Sequence, residues 1–200
     1  MKTQARVVVI GGGVVGLAIL RRFAMAGLDC ILLEKGADIL SGASKGNSAL
    51  LHTGFDAPTG STELACMQAG YAEYLDIHDK LNLPVVKSSA LVVAWGDEER
   101  AKLDGIVAKA HANGVSDVRH VARDELCKRE PQLSPAATAA VLVPGEHIID
   151  AWSAPLAYAQ QALAHGAVIL RNAEVTGGDF SNGAWTLHST AGPVSARVVI

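Results

Sequence analysis

Aromatic side chains make up only 4% of this 200-residue sequence. That is too few to furnish the stacking platforms that hold single-stranded nucleic acid. Neither sign of charge dominates. Seventeen basic and 20 acidic residues leave a net charge of −3, which excludes a strongly basic footprint and argues against nucleic acid as a partner. Cysteine is scarce: Cys30, Cys66 and Cys127 are scattered and form no CxxC pair. A reducing compartment and no metal cluster are therefore expected. The apolar run Val7–Leu20 has 14 residues, short of the roughly 20 that a membrane-spanning helix needs. Lys2 and Arg6 before that run resemble the start of a signal peptide. The run, however, carries four glycines and ends in Arg21-Arg22 with no small-residue cleavage site. No internal repeat or low-complexity linker is present. What remains is a core-forming composition, 50% hydrophobic and 18% charged.

The glycines in the apolar run are the strongest signal. Val7–Ile10 reads as a strand that enters Gly11-x-Gly13-x-x-Gly16. Val14–Ala26 follows with Leu17, Leu20 and Ala24 on one helical face. A second apolar strand, Asp29–Glu34, ends in an acid. The whole unit has the length of roughly 30 residues expected of a dinucleotide-binding βαβ motif. In that motif the first glycine permits the tight turn. The second lets the backbone approach a pyrophosphate, and the third lets the helix pack on the strand. The helix N-terminus offers unpaired N–H groups and the positive end of its dipole. Glu34 is placed to accept from ribose hydroxyls, and its charge disfavours a 2′-phosphate and hence NADP.

Further along, Ser41–Ser48 is rich in glycine and hydroxyls. It reads as a loop, either a plain surface loop or a second run of backbone donors ending at a helix start near Asn47 or Ser48. Helices are expected at Ser61–Leu81, Asp97–Asn113, Arg123–Arg129 and Ser153–His165. Strands are expected at Val85–Val86, Ala90–Trp95, Val118–Val121, Ala140–Val143, Ala167–Leu170, Ala184–His188 and Val194–Ile200. Pro155 in the first turn and Gly166 past the end mark the limits of the Ser153 helix, with Asp150 as its cap. The order implies an α/β fold: a Rossmann-like nucleotide-binding domain with a parallel sheet, interrupted by an α+β lobe. The expected boundaries are 1–80 for the βαβ region and following helices, 81–145 for part of the second lobe, and 146–200 for the return. The closing run Arg197–Ile200 has no turn or cap and reads as a buried parallel strand that continues. The chain is thus expected to be an N-terminal piece of a longer protein.

The fingerprint, the segment Ser41–Gly54 (SGASKGNSALLHTG) and Val143–Leu170 (VPGEHIIDAWSAPLAYAQQALAHGAVIL) together resemble the flavin-dependent oxidoreductases of the D-amino-acid oxidase superfamily. Within it the sequence is most similar to FAD-dependent glycerol-3-phosphate dehydrogenases, and L-2-hydroxyglutarate dehydrogenases are similar over the same segments. The resemblance implies FAD as cofactor. Gly11, Gly13 and Gly16 would cradle its pyrophosphate, with N–H groups of Val14 and Val15 nearby. Glu34 would bind the adenosine ribose, with Lys35 beside it. Ser44, Asn47 and Ser48 would approach the phosphates and ribityl chain. Leu50, Leu51 and His52 would run under the isoalloxazine ring, and the Val175 backbone would hold the adenine. Related dehydrogenases often carry an arginine in the loop after the ribose-binding acid; here Lys45 and Gly46 stand nearest. The fingerprint alone allows NAD or FAD, and the second approach at Ser41–Gly54 favours FAD.

The chemistry so implied is hydride transfer from a secondary alcohol to the flavin, with electrons passed on to a quinone-type acceptor, at a membrane surface or elsewhere in the cytoplasm. The substrate would be a polyol phosphate. The alternatives are a 2-hydroxy acid or amino acid, or an inert nucleotide-binding module. His52 is the candidate base for the hydroxyl proton; a structural histidine bonded to backbone and a flavin-tethering histidine are its other readings. His78, His111, His120, His165 and His188 are assigned no role. The mixed charge runs at Glu98–Arg100 and Lys128–Glu130 read as solvated faces.

Overall fold

The computed structural model describes residues 2–200. They form two compact units: the segment up to Ser48 together with Asp150–Ile200, and Ala49–Ile149, which interrupts the first in sequence. In chain order the elements begin with β1 (Gln4–Ile10), α1 (Val14–Met25), β2 (Cys30–Leu33), β3 (Leu50–Leu51), α2 (Thr62–Ile77), β4 (Val85–Val86) and β5 (Ala90–Ala94). Next come α3 (Asp97–Arg100), α4 (Leu103–Ala112), β6 (Arg119–Ala122), α5 (Arg123–Arg129), β7 (Ala139–Val143) and β8 (His147–Ile149). The last are α6 (Ser153–Ala164), β9 (Val168–Leu170), β10 (Val175–Ser181), β11 (Ala184–Ser189) and β12 (Val194–Val199).

The first unit is built on a six-stranded sheet of order β10-β11-β12-β1-β2-β9. The four strands from β12 to β9 run parallel, and β10 and β11 add to the edge as an antiparallel hairpin. Strands covered on both faces must be apolar throughout, and β2 is buried at all four positions. Cys30 and Leu32 face one core with Leu17, Leu20 and Ala24 of α1 and Ala159 and Ala162 of α6. Ile31 and Leu33 face the other with Leu187, Val194 and Ala196. The period-two alternation of a strand thus feeds two cores at once. Arg21 links α1 to α6: its Nε donates to Gln161 Oε1 at 2.6 Å, and its guanidinium lies 5.1 Å from the Tyr158 ring centroid.

The ends of α6 follow the sequence signals. Asp150 accepts from the Trp152 N–H at 2.8 Å and the Ser153 hydroxyl at 2.9 Å. These bonds, the backbone one first, hold its carboxyl below the usual range. Gly166 adopts φ +86°, and the Ala167 N–H returns to the Ala162 carbonyl at 3.0 Å, closing the helix.

The second unit holds two small antiparallel sheets, β3-β8-β4 and β5-β7-β6. The central strand β7 is covered on both faces. Val141 and Val143 meet Leu103 and Ala110 of α4, while Ala140 and Leu142 meet Leu126 of α5. The loop after β3 is pinned by Asn113, which is 4% exposed. Its Nδ2 donates to the carbonyls of Gly54 and Ala57 at 2.9 Å each. Its Oδ1 accepts from the Thr59 hydroxyl at 2.6 Å.

Three expectations are corrected. Residues 49–80 belong to the second unit, because β3 pairs with β8 and α2 bonds within that unit, Gln68 Nε2 to Asn113 O and Tyr71 Oη to Gly145 O. The return to the first unit falls at Asp150 rather than at residue 146, since His147–Ile149 is the central strand of the small sheet. The single helix expected at Asp97–Asn113 is broken after Arg100, where the Lys102 N–H bonds Glu99 three residues back instead of four. Strands β3, β8 and β10 lie outside the strands expected from the sequence.

Replacing Asn113 with alanine strands the carbonyls of Gly54 and Ala57 and the Thr59 hydroxyl. A loss of about 2–4 kcal/mol in unfolding free energy is expected, measured by denaturant titration.

Candidate functional site

A cleft of about 640 Å³ opens in the first unit at the carboxyl ends of β1 and β2, the position at which open α/β sheets bind ligands. It is lined by the turn after β1, the end of β2, the Ser41–Ser44 segment and the chain entering β10. The geometry of the turn depends on glycine. Gly11 adopts φ +104°, a left-handed conformation that side chains disfavour. A Cβ on Gly16 would lie 2.0 Å from the Gly11 carbonyl oxygen. That contact is with backbone, so no rotamer change relieves it, and only glycine lets α1 start this close to β1. A Cβ on Gly13 would meet Ser44 Oγ at 3.0 Å.

Helix α1 has no acidic residue in its first turn and no capping side chain on Gly13. No carboxylate of the helix itself therefore neutralises its positive end, which attracts an anion. The Val14 N–H donates to Ser44 Oγ at 3.0 Å, which draws the Ser41–Ser44 segment to the helix start. Glu34, 9% exposed, accepts from the Gly12 N–H through Oε2 at 2.6 Å and from the Gly36 N–H through Oε1 at 2.7 Å. One carboxylate thus ties the turn after β1 to the turn after β2.

The sequence candidates divide between the two units. Gly11, Gly13, Glu34, Lys35, Ser44 and Val175 line the one cleft. Gly16 lies beneath it, and Val14 and Val15 are exposed on the first turn of α1. Asn47 Nδ2 donates to the Ser44 carbonyl at 2.6 Å, and Ser48 is exposed. No helix starts at Asn47 or Ser48. The donors expected there are replaced by a 3-10 turn at Ala43–Gly46, after which the chain extends. Leu50, Leu51 and His52 lie in the second unit.

In that unit the register places His52 against a residue to which the sequence pattern assigns no role. Leu51 pairs with His147 and Leu50 with Ile148, so one step further His52 faces Glu146. His52 Nδ1 lies 3.0 Å from Glu146 Oε2. The other oxygen, Oε1, accepts from the Thr53 N–H at 2.6 Å and the Thr53 hydroxyl at 2.8 Å. The Glu146 side chain is 2% exposed and that of His52 40%. Beside them the Tyr71 hydroxyl donates to the Gly145 carbonyl at 2.8 Å. Burial, then the charges of Asp117 and Glu146, push its pKa above the ordinary phenol value. The only sign of Glu146 in the sequence is an acid, followed by His147, between the apolar runs Ala139–Val143 and Ile148–Ile149, and its partner is nearly a hundred residues away.

The parallel sheet, the glycine turn, the helix N-terminus at the cleft and the acid at the end of β2 define a dinucleotide-binding unit of the Rossmann class. The chain belongs to the DAO family of FAD-dependent oxidoreductases, whose sequence model matches residues 6–200. It is 28% identical over 169 residues to a glycerol 3-phosphate dehydrogenase of Caloramator mitchellensis, covering 84% of this chain and 35% of that protein. It is 27% identical over 197 residues to an L-2-hydroxyglutarate dehydrogenase of Indibacter alkaliphilus, covering 98% of this chain and 49% of that one. The chain thus spans between about a third and a half of these relatives. The fold is shared with the dithionite-reduced, FAD-bound L-α-glycerophosphate oxidase of Mycoplasma pneumoniae, with a TM-score of 0.89 at 24% identity over 98% of this chain and 53% of that one. FAD is the family's cofactor, and the cleft fits it on the glycine and helix-terminus grounds given above. Among the described residues no helix is long and apolar enough to cross a membrane.

In the full-length protein, Gly13→Val should displace Ser44 and fill the approach to the helix N-terminus. Loss of flavin absorbance after gel filtration is expected, with far-UV circular dichroism unchanged.

Proposed function

We propose that the chain serves the FAD-dependent oxidation of a small secondary alcohol bearing an anionic group, with glycerol 3-phosphate as the first candidate. The observation that carries this reading is the DAO family match across residues 6–200, together with a glycerol 3-phosphate dehydrogenase among the relatives. The second candidate, L-2-hydroxyglutarate, is favoured by the relative that aligns with 98% of the chain.

In this reading the first unit binds the cofactor. Gly11, Gly13 and Gly16 admit the pyrophosphate to the N-terminus of α1, with the Val14 and Val15 amides and Ser44 beside it. Glu34, already bonded to two backbone amides, has oxygen lone pairs left for the ribose hydroxyls, with Lys35 adjacent. Asn47 and Ser48 continue the approach to the phosphates and ribityl chain, and Val175 offers its backbone to the adenine. Leu50, Leu51 and His52 are the candidates for the flavin ring. Bound FAD supplies the two-electron acceptor for the substrate hydride. His52, half-exposed, takes the hydroxyl proton on Nε2 as that hydride leaves; such general-base catalysis contributes roughly 10²–10⁴-fold. The second unit is then the substrate lobe, and a quinone is the acceptor proposed for reoxidation.

Dye reduction by the full-length yellow protein decides the substrate. Stimulation by glycerol 3-phosphate and not by L-2-hydroxyglutarate is expected. The reverse moves the assignment to the hydroxy acid, and a colourless, inactive protein reduces the chain to a binding module. His52→Ala should lower kcat about 100-fold or more with FAD content unchanged. Undiminished kcat removes His52 from the proton transfer.

A further inference from the structure

Glu146 is the buried acid of the second unit, and the bonds of its carboxylate are directed at His52 and its neighbour Thr53. It sits on the turn between β7 and β8, held against the chain after β3 by a glycine. A Cβ on Gly145 would lie 2.8 Å from Thr53 Cγ2 and 3.3 Å from the Tyr71 hydroxyl. An ionised carboxylate only accepts hydrogen bonds. The two Thr53 donors both reach Oε1, at 2.6 and 2.8 Å, and leave Oε2 for His52 Nδ1 at 3.0 Å. Nδ1 must then carry the hydrogen. In a neutral imidazole the remaining lone pair falls on Nε2, on a ring whose side chain is 40% exposed.

We propose that Glu146 is a positioning residue that holds His52 as the Nδ1–H tautomer, so that Nε2 takes the substrate hydroxyl proton. This rests on the reading of His52 as the proton acceptor. In the step, the substrate O–H bond breaks and an Nε2–H bond forms, while the hydride leaves the same carbinol carbon for the flavin. The ring becomes an imidazolium that keeps its Nδ1–H on Glu146, and its new charge lies beside a carboxylate already desolvated by the fold. The carboxylate does not take the proton.

Glutamine at 146 inverts this arrangement. Thr53 offers two donors, so the amide oxygen turns to Thr53 and the NH2 group to Nδ1. Nδ1 must then accept, the hydrogen moves to Nε2, and the working nitrogen has no lone pair. Aspartate keeps an acceptor at a longer reach.

The test is 15N NMR of histidine-labelled full-length protein, with the His52 signals assigned by their loss in His52→Gln. In the unsubstituted protein, a protonated Nδ1 and an unprotonated Nε2 are expected. Glu146→Gln should reverse the pair and lower kcat about 100-fold or more with KM and FAD content little changed. Glu146→Asp should keep the tautomer and most of kcat. The unsubstituted protein carrying its hydrogen on Nε2 overturns the proposal. So does a Gln variant that keeps the Nδ1–H tautomer, or one that keeps full kcat. Should no alcohol be oxidised by the unsubstituted protein, the substrate reading fails, while the NMR pattern still upholds or overturns the hold of Glu146 on the ring. Should the Gln variant not fold, the tautomers of the unsubstituted protein and of the Asp variant decide: Nδ1–H in both upholds the proposal, and Nε2–H in either overturns it.

Discussion

The approach of α1 to the Gly11 carbonyl governs the first unit. The oxygen occupies the space where a side chain at position 16 would begin, so the helix starts within reach of the strand it follows. That closeness brings the helix N-terminus to the end of the sheet and lets Ser44 bond the first free amide. It also places Gly12 where Glu34 can reach it. The cleft is the space left by these three attachments.

The second unit solves a different problem. Its small sheet, β3-β8-β4, has little length from which to draw stability. Side-chain bonds to backbone supply much of the definition instead. Asn113 fixes the loop after Thr53, Tyr71 holds the Gly145 carbonyl, and Glu146 takes both donors of Thr53. A polar set of this kind tolerates little slack, because each member left unbonded in the interior carries its own desolvation cost. His52 inherits its orientation from that set.

Much of the first unit is legible in the sequence because its determinants are local. Glycines at fixed spacing, an apolar strand and an acid at the next strand end lie within one βαβ unit, and the caps of α6 lie within a turn of its ends. The hairpin β10–β11 has a local signal too, although its first strand is absent from the expected elements. Gly177 and Gly178 disguise that strand, but Asn182-Gly183, both at positive φ, is the dipeptide of a tight hairpin turn. The pairing of β3 with β8 is not legible. Two- and three-residue strands carry no periodicity, and their register is set by residues far apart in the chain. The partner of His52 is hidden for the same reason. The boundary expected near residue 80 is misplaced because α2 declares its helix but not the unit it packs in.

Glu34 does two jobs with one carboxylate. It faces the cleft, and it also fastens the Gly12 and Gly36 amides of the loops on either side. A lineage that replaced this residue with a side chain lacking an acceptor would release both loops in the same event. New acceptors for those amides would have to be in place beforehand. The face that Glu34 turns to the cleft and the fastening of the cleft's wall are in that sense carried by a single side chain.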